Sequence, residues 1–165
     1  MAAVLLLLAG LLAGGGMYYL QVHAYYDRLP AQASFALTPA GAVAPVQVPV
    51  SGFTGIDSDS SPIRYRACFT LEAPADGWAP YADPRPPVAP RWFSCFDAAA
   101  IGAALAQGGA RAVLGQAEVR YGIDRVVAVF PDGTARAWNQ INRCGAAVFA
   151  GDPPPPGCPP PPPRN

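Results

Sequence analysis

The stretch that most limits what this chain can become is its first. Ala2 to Val22 (AAVLLLLAGLLAGGGMYYLQV) carries no charged side chain, and the first charged side chains come at Asp27 and Arg28. About 20 apolar residues at 1.5 Å per residue span roughly 30 Å, the thickness of a bilayer's hydrocarbon core. Three readings compete. A buried core helix fits poorly, because the segment lies at the extreme N-terminus, is too long and is apolar all round. A cleaved signal peptide has a basic start, an apolar core of about 7–15 residues and a small-residue cleavage site. Here Val22-His23-Ala24 is an imperfect site, the basic start is missing and the apolar run is longer. A retained signal anchor over residues 1–26 fits best. Tyr18, Tyr19, Tyr25 and Tyr26 gather at one end, where amphipathic rings sit at the membrane–water boundary. The triplet Gly14-Gly15-Gly16 loosens the helix but is tolerated in spanning segments. The expected partner of residues 2–22 is therefore the lipid bilayer.

After the anchor about 140 residues remain, enough for one small domain with flexible ends. The 11 basic residues are all Arg and balance 11 acidic ones, so no basic stripe offers itself to nucleic acid and none is expected as a partner. The four cysteines, Cys68, Cys95, Cys144 and Cys158, include no C-x-x-C pair, which leaves out the usual zinc and thioredoxin-like signatures. An even count in an exported domain suggests disulfides; three pairings are open, and nearest-neighbour pairing, 68–95 with 144–158, is expected. Loops of those sizes stabilise by roughly 3–4 kcal/mol each in the chain-entropy model. Bridged cysteines put the C-terminal part outside the cytoplasm, since K/R asymmetry has almost nothing to count.

Residues 27–50 are rich in Ala and Pro and read as a stalk ending in a short edge strand at 46–50. In GFTGIDSDSS (52–61), Asp57, Asp59 and Ser61 mimic the first three ligand positions of an EF-hand loop. The rest of that pattern fails, with Pro62 where Gly is needed and Cys68 where the bidentate Glu belongs, so no metal is expected. Asp and Ser side chains here shape a turn before a strand. Residues 63–71 (IRYRACFTL) alternate: Ile63, Tyr65, Ala67, Phe69 and Leu71 on one face, Arg64, Arg66, Cys68 and Thr70 on the other. Arg64 and Arg66 are candidates for gripping an anion, or else a solvated sheet face. Residues 74–90 form a Pro-rich loop, with Trp78 and Tyr81 packing it down. A helix follows over 97–107, capped by Ser94 or Asp97 and stopped at Gly108-Gly109, with Ile101 and Leu105 facing the sheet.

Residues 110–141 read as a three-strand meander: 111–121, broken at Gly115 by a bulge; 125–130, an apolar central strand; and Thr134 to Ile141 after the Pro131-Asp132-Gly133 turn. Trp138 is read as packing, with ligand stacking as the sharper alternative. Residues 142–145 leave the sheet, and from Asp152 the proline-rich tail PPPPGCPPPPPRN is polyproline II without a core. A bridge from Cys158 to Cys144 would pin it. The organisation expected is thus 1–26 anchor, 27–50 stalk, 51–151 domain and 152–165 tail.

Much catalytic apparatus is missing. His23 is the one histidine and lies beside the anchor, so the domain holds no Ser-His-Asp or Cys-His pair. No P-loop, G-x-G-x-x-G after a strand or H-E-x-x-H occurs, and no cofactor is implied. Asp57, Asp59, Asp97 and Asp124 supply carboxylates, as any domain of this size does.

The succession MYYLQVHAYY, GFTGIDSDSSPIRYRACF, WFSCFDAAAIGAAL, YGIDRVVAVFPDG and AWNQINRCG resembles an uncharacterised family of short alphaproteobacterial proteins, over nearly the whole chain to about Gly145. The resemblance implies one N-terminal span followed by a small domain of unknown function, and it supplies no catalytic residue. Some relatives carry an automatic histidine-kinase label, which this sequence does not support: His23 lies on no dimerising helix of a kinase and no ATP-binding domain follows.

The fold expected is α+β: a transmembrane helix, then a small disulfide-stapled domain with an antiparallel sheet and one packed helix. The role expected is binding or assembly of envelope components from the periplasmic side of the inner membrane. The alternative is a small envelope enzyme using Asp57 and Asp59 with Arg64 and Arg66, which requires all four side chains to line one pocket.

Overall fold

A computed structural model describes residues 1–73 and 76–163, with the side chains of Gln21 and Val22 set aside. Of the expected proline-rich segments, Pro74 and the final Arg164-Asn165 lie outside the described residues. The order is α1 (Ala2–Val22), β1 (Asp27–Arg28), β2 (Ser34–Leu37), β3 (Val46–Asp57), β4 (Arg66–Leu71), α2 (Ala98–Ala106), β5 (Arg111–Arg120), β6 (Ile123–Val129), β7 (Thr134–Ile141) and α3 (Arg143–Ala150). Helix α1 stands clear of the rest, its described side chains exposed, and is long and apolar enough to cross a membrane. The remainder is α+β, as expected.

The strands form one antiparallel sheet in the order β1-β3-β4-β7-β6-β5, with β2 added beside the first half of β3. β3 bends in its middle. Val48 and Val50 face inward, Ser51 and Gly52 both face out, and Phe53 resumes the inward phase. Gly52 sits at φ +62°, a conformation that costs glycine little, and the β3–β4 register shifts between Ser51 and Thr54. The bend curls the sheet until β2 reaches β5 at its far edge: Thr38 N–H donates to Leu114 O at 3.0 Å, and the Thr38 hydroxyl to Gly115 O at 3.0 Å. Residues 78–80 fill the seam, bridging Pro39 to Trp78 and Pro80 to Val113.

Two cores follow. Inside the curl lie Phe35, Leu37, Val50, Phe69, Val127 and their neighbours. On the outer face, α2 and the loop before it bring Ile101, Phe93 and Phe96 over Ile56, Cys68, Val126 and Trp138. The central strands are thus buried on both faces, and β6 reads as a nearly unbroken apolar run. Asp97 caps α2 by accepting from Ala99 and Ala100 N–H.

The stalk expected over 27–50 is corrected: this stretch supplies β1, β2 and the start of β3, and Phe35, Leu37, Val48 and Val50 are core residues. The physical reason is a cross-pairing of two short alternating runs, Phe35 opposite Val48 and Leu37 opposite Val46. The segment leaving the sheet after residue 141 also forms a second helix, α3. It docks through two glycines. A Cβ on Gly145 would run into Gly122 O, and Gly122 turns at φ +72°. Both expected disulfides, Cys68–Cys95 and Cys144–Cys158, are present.

Candidate functional site

Asp57 ends β3, and its carboxylate accepts from Ser58 N–H at 2.8 Å. Burial raises its pKa, against the pull of that hydrogen bond and of the Arg125 guanidinium. Asp59 stands on the turn beyond. Both border a small cavity of about 110 Å³ with Arg120, Arg125 and Asn139. Arg125 is the keystone there. Its guanidinium lies 3.7 Å over the Tyr65 ring and its Nε donates to Asn139 Oδ1 at 3.1 Å. Asn139 in turn donates to Pro62 O at 2.7 Å. Burial pushes the Tyr65 phenol up to about 12, with Arg125 opposing.

Arg64 and Arg66 are engaged elsewhere, and neither lines the cavity that Asp57 and Asp59 border. Arg66 is not on a solvated face. It is 4% exposed, donates to the carbonyls of Ile63 (2.7 Å), Tyr65 (2.8 Å) and Val88 (3.2 Å), and sits 5.8 Å from the Phe96 ring centre. Burial lowers its pKa to about 10, so it stays charged at neutral pH. It is a tie between β4 and the loop over it. Arg64 bonds Ser60 Oγ at 3.1 Å and lies over the rings of Tyr25 and Tyr26. Trp138 is fully buried against Phe96, which makes it a packing residue.

The larger concave surfaces lie around α3. Asn142 caps this helix, accepting from Cys144 and Gly145 N–H at 3.0 Å each. Its amide nitrogen donates to Glu118 Oε1 at 2.7 Å and Asp124 Oδ1 at 3.0 Å. Glu118, at φ +50°, reaches back to accept from Gly122 N–H at 2.7 Å. Asp124 also accepts from Glu118 N–H at 2.9 Å and from the Tyr81 hydroxyl at 3.2 Å. Burial and the Asp124 carboxylate hold the Tyr81 phenol above its usual pKa. These groups line a polar cleft of about 580 Å³. Every acceptor named is matched by a donor within the fold, so the cluster's evident work is to fasten α3 and the 81–85 loop to the sheet.

On the opposite flank of α3 an apolar groove of about 800 Å³ runs between Tyr121, Ile123, Val148 and Phe149 and the prolines of the tail. The tail is held over it by the Cys144–Cys158 bridge, by Arg143 donating to Pro156 O at 3.1 Å and by the Tyr121 hydroxyl donating to Pro159 O at 3.2 Å. Sequence reasoning missed Arg125, Asn139, Glu118 and Asn142. The one legible signal was Asn142, an Asn standing directly before a short helical stretch that ends at a glycine.

The model of a family described only as a family of unknown function, DUF6446, matches residues 35–159. The chain belongs to this family. The DUF6446 match begins at Phe35, on β2, and ends just past Cys158, so it takes in both disulfides, the buried residues of both cores and the α3 groove short of Pro161–Pro163. It also starts inside the stretch expected to be a stalk, in keeping with the core role of Phe35 and Leu37. No curated protein matches this DUF6446 chain, and no solved structure does.

Proposed function

We propose that this chain is a single-span protein of the inner membrane whose domain faces the oxidising, periplasmic side and binds or helps assemble envelope components. The observation that carries the reading is the pairing of an uncovered apolar helix with a domain whose cysteines are all bridged. A helix with this much apolar surface needs a lipid or protein cover, and disulfides persist in oxidising compartments. The binding role rests on the apolar groove beside α3, whose walls of Phe149, Val148, Tyr121 and proline suit an extended or apolar segment of another envelope molecule.

Two measurements test the two halves. A carboxyl-terminal fusion to a fluorescent protein that matures only in the cytosol should stay dark, and bright cells overturn the placement. Photo-crosslinking from position 149 in intact membranes should give discrete adducts with an envelope component. A chain that crosslinks to nothing there contradicts the binding role.

A further inference from the structure

Where α1 meets the domain, three separate stretches of chain converge on one aromatic cluster. His23, at the end of α1, stacks on Tyr19 at 5.9 Å and on Trp92 at 5.7 Å, while Tyr26 meets Trp92 edge-on at 6.2 Å. Two guanidinium groups lie on these rings: Arg28 at 5.2 Å from the centre of Trp92, and Arg64 at 5.1 Å and 5.6 Å from those of Tyr25 and Tyr26. Much of this surface is left open. Tyr18, Tyr19 and Tyr25 are 63%, 61% and 45% exposed, and Arg28 is exposed too. The junction is short. β1 begins at Asp27 and pairs at once with β3, Arg28 opposite Ile56, so the domain cannot drift far from the end of α1.

We infer that this collar is a seat for phospholipid headgroups: its tyrosines and Trp92 lie in the interfacial layer, and Arg28 and Arg64 take lipid phosphates. The inference rests on α1 spanning the bilayer. Counting 1.5 Å per residue from Ala2 puts Tyr18 and Tyr19 roughly 24–26 Å along the helix, near the far boundary of the hydrocarbon core. Amphipathic rings concentrate at that depth, and a guanidinium matches phosphate geometry with two parallel hydrogen bonds while stacking on an aromatic face. The charges nearby are mixed. Asp27 and Asp57 stand opposite each other across β1 and β3, and Arg91 adjoins Trp92. The attraction is therefore local to the two stacked arginines and not a broad basic field.

The test uses the full chain in nanodiscs of phosphatidylcholine, with and without phosphatidylglycerol, in which some acyl chains are brominated near the headgroup. Tryptophan fluorescence reports contact, with near-ultraviolet circular dichroism confirming that each variant is folded. The bromolipids should quench one component of the emission, and Trp92→Phe should remove it while leaving Trp78 and Trp138 unquenched. Arg28→Gln with Arg64→Gln should cut that quenching by at least about two-fold and abolish any gain from the anionic lipid. Quenching that survives Trp92→Phe overturns the seat, as does Trp92 crosslinking to another protein instead of lipid in native membranes. If the chain stays with the nanodisc but Trp92 is unquenched, the seat alone falls. If the chain leaves the nanodisc fraction, the spanning helix falls with it.

Discussion

The two disulfides close loops of 27 and 14 residues' separation and in the chain-entropy model withdraw similar disorder from the unfolded chain, about 3–4 and about 3 kcal/mol. What they hold in the folded state is different. Cys68 lies in the outer core on β4, and the loop bearing Cys95 is pinned independently: Phe93 and Phe96 are buried, Arg136 Nε donates to Cys95 O at 2.7 Å, and Asp97 caps α2. Cys158 sits in a proline tail held otherwise by two exposed hydrogen bonds. A bridge stabilises in full only when the native state would keep both its ends ordered without it. The first disulfide meets that condition and the second does not.

Removing the first bridge should therefore have the largest effect. Cys68→Ala with Cys95→Ala is expected to cost about 3–5 kcal/mol in denaturant unfolding, since the native loop stays in place while the unfolded chain regains its freedom. A cost below about 1 kcal/mol would break the comparison. Next comes Gly145→Ala, whose Cβ meets the Gly122 backbone; about 2–3 kcal/mol is expected, with α3 shifted from the sheet and its amides exchanging faster. The second bridge should matter least for stability. Cys144→Ala with Cys158→Ala should lower the unfolding free energy by about 1 kcal/mol or less, while limited proteolysis cuts the tail beyond 151 far sooner than in the parent. An equal loss in the two double variants would erase the distinction.

The smallest effect is expected at Asp57, on the strand that pairs with β4. Its folded pKa is raised by burial, so between the unfolded and folded values the native state binds more protons and stability falls as pH rises. Asp57→Asn, which can still accept from Ser58 N–H, should be slightly more stable than the parent at pH 7, and the difference should shrink on acidification through the raised pKa. A gap that widens toward acid contradicts the burial of this carboxyl.

Strong local signals made part of this fold readable. The meander, the Asp97 cap and the two cysteine pairings follow from alternation, capping chemistry and loop length. Residues 27–50 were unreadable for a specific reason: prolines 30, 39, 45 and 49 mask two short alternating runs, and the phase slip at Ser51-Gly52 hides that 46–57 is a single strand. Alternation marks Arg66 for a solvated face, as polar positions on such a strand usually are; here α2 and the 88–96 loop cover that face. The ties made by Arg125, Glu118 and Asn142 join residues distant in sequence, and no local pattern announces them.

The proposed placement requires a domain kept oxidised beyond the membrane. Peptide mapping of the full chain from native membranes, alkylated at once and never reduced, tests this most directly. The expected result is a cross-linked species joining the Cys68 and Cys95 peptides and an internally bridged peptide holding Cys144 and Cys158. Four alkylated thiols would contradict it.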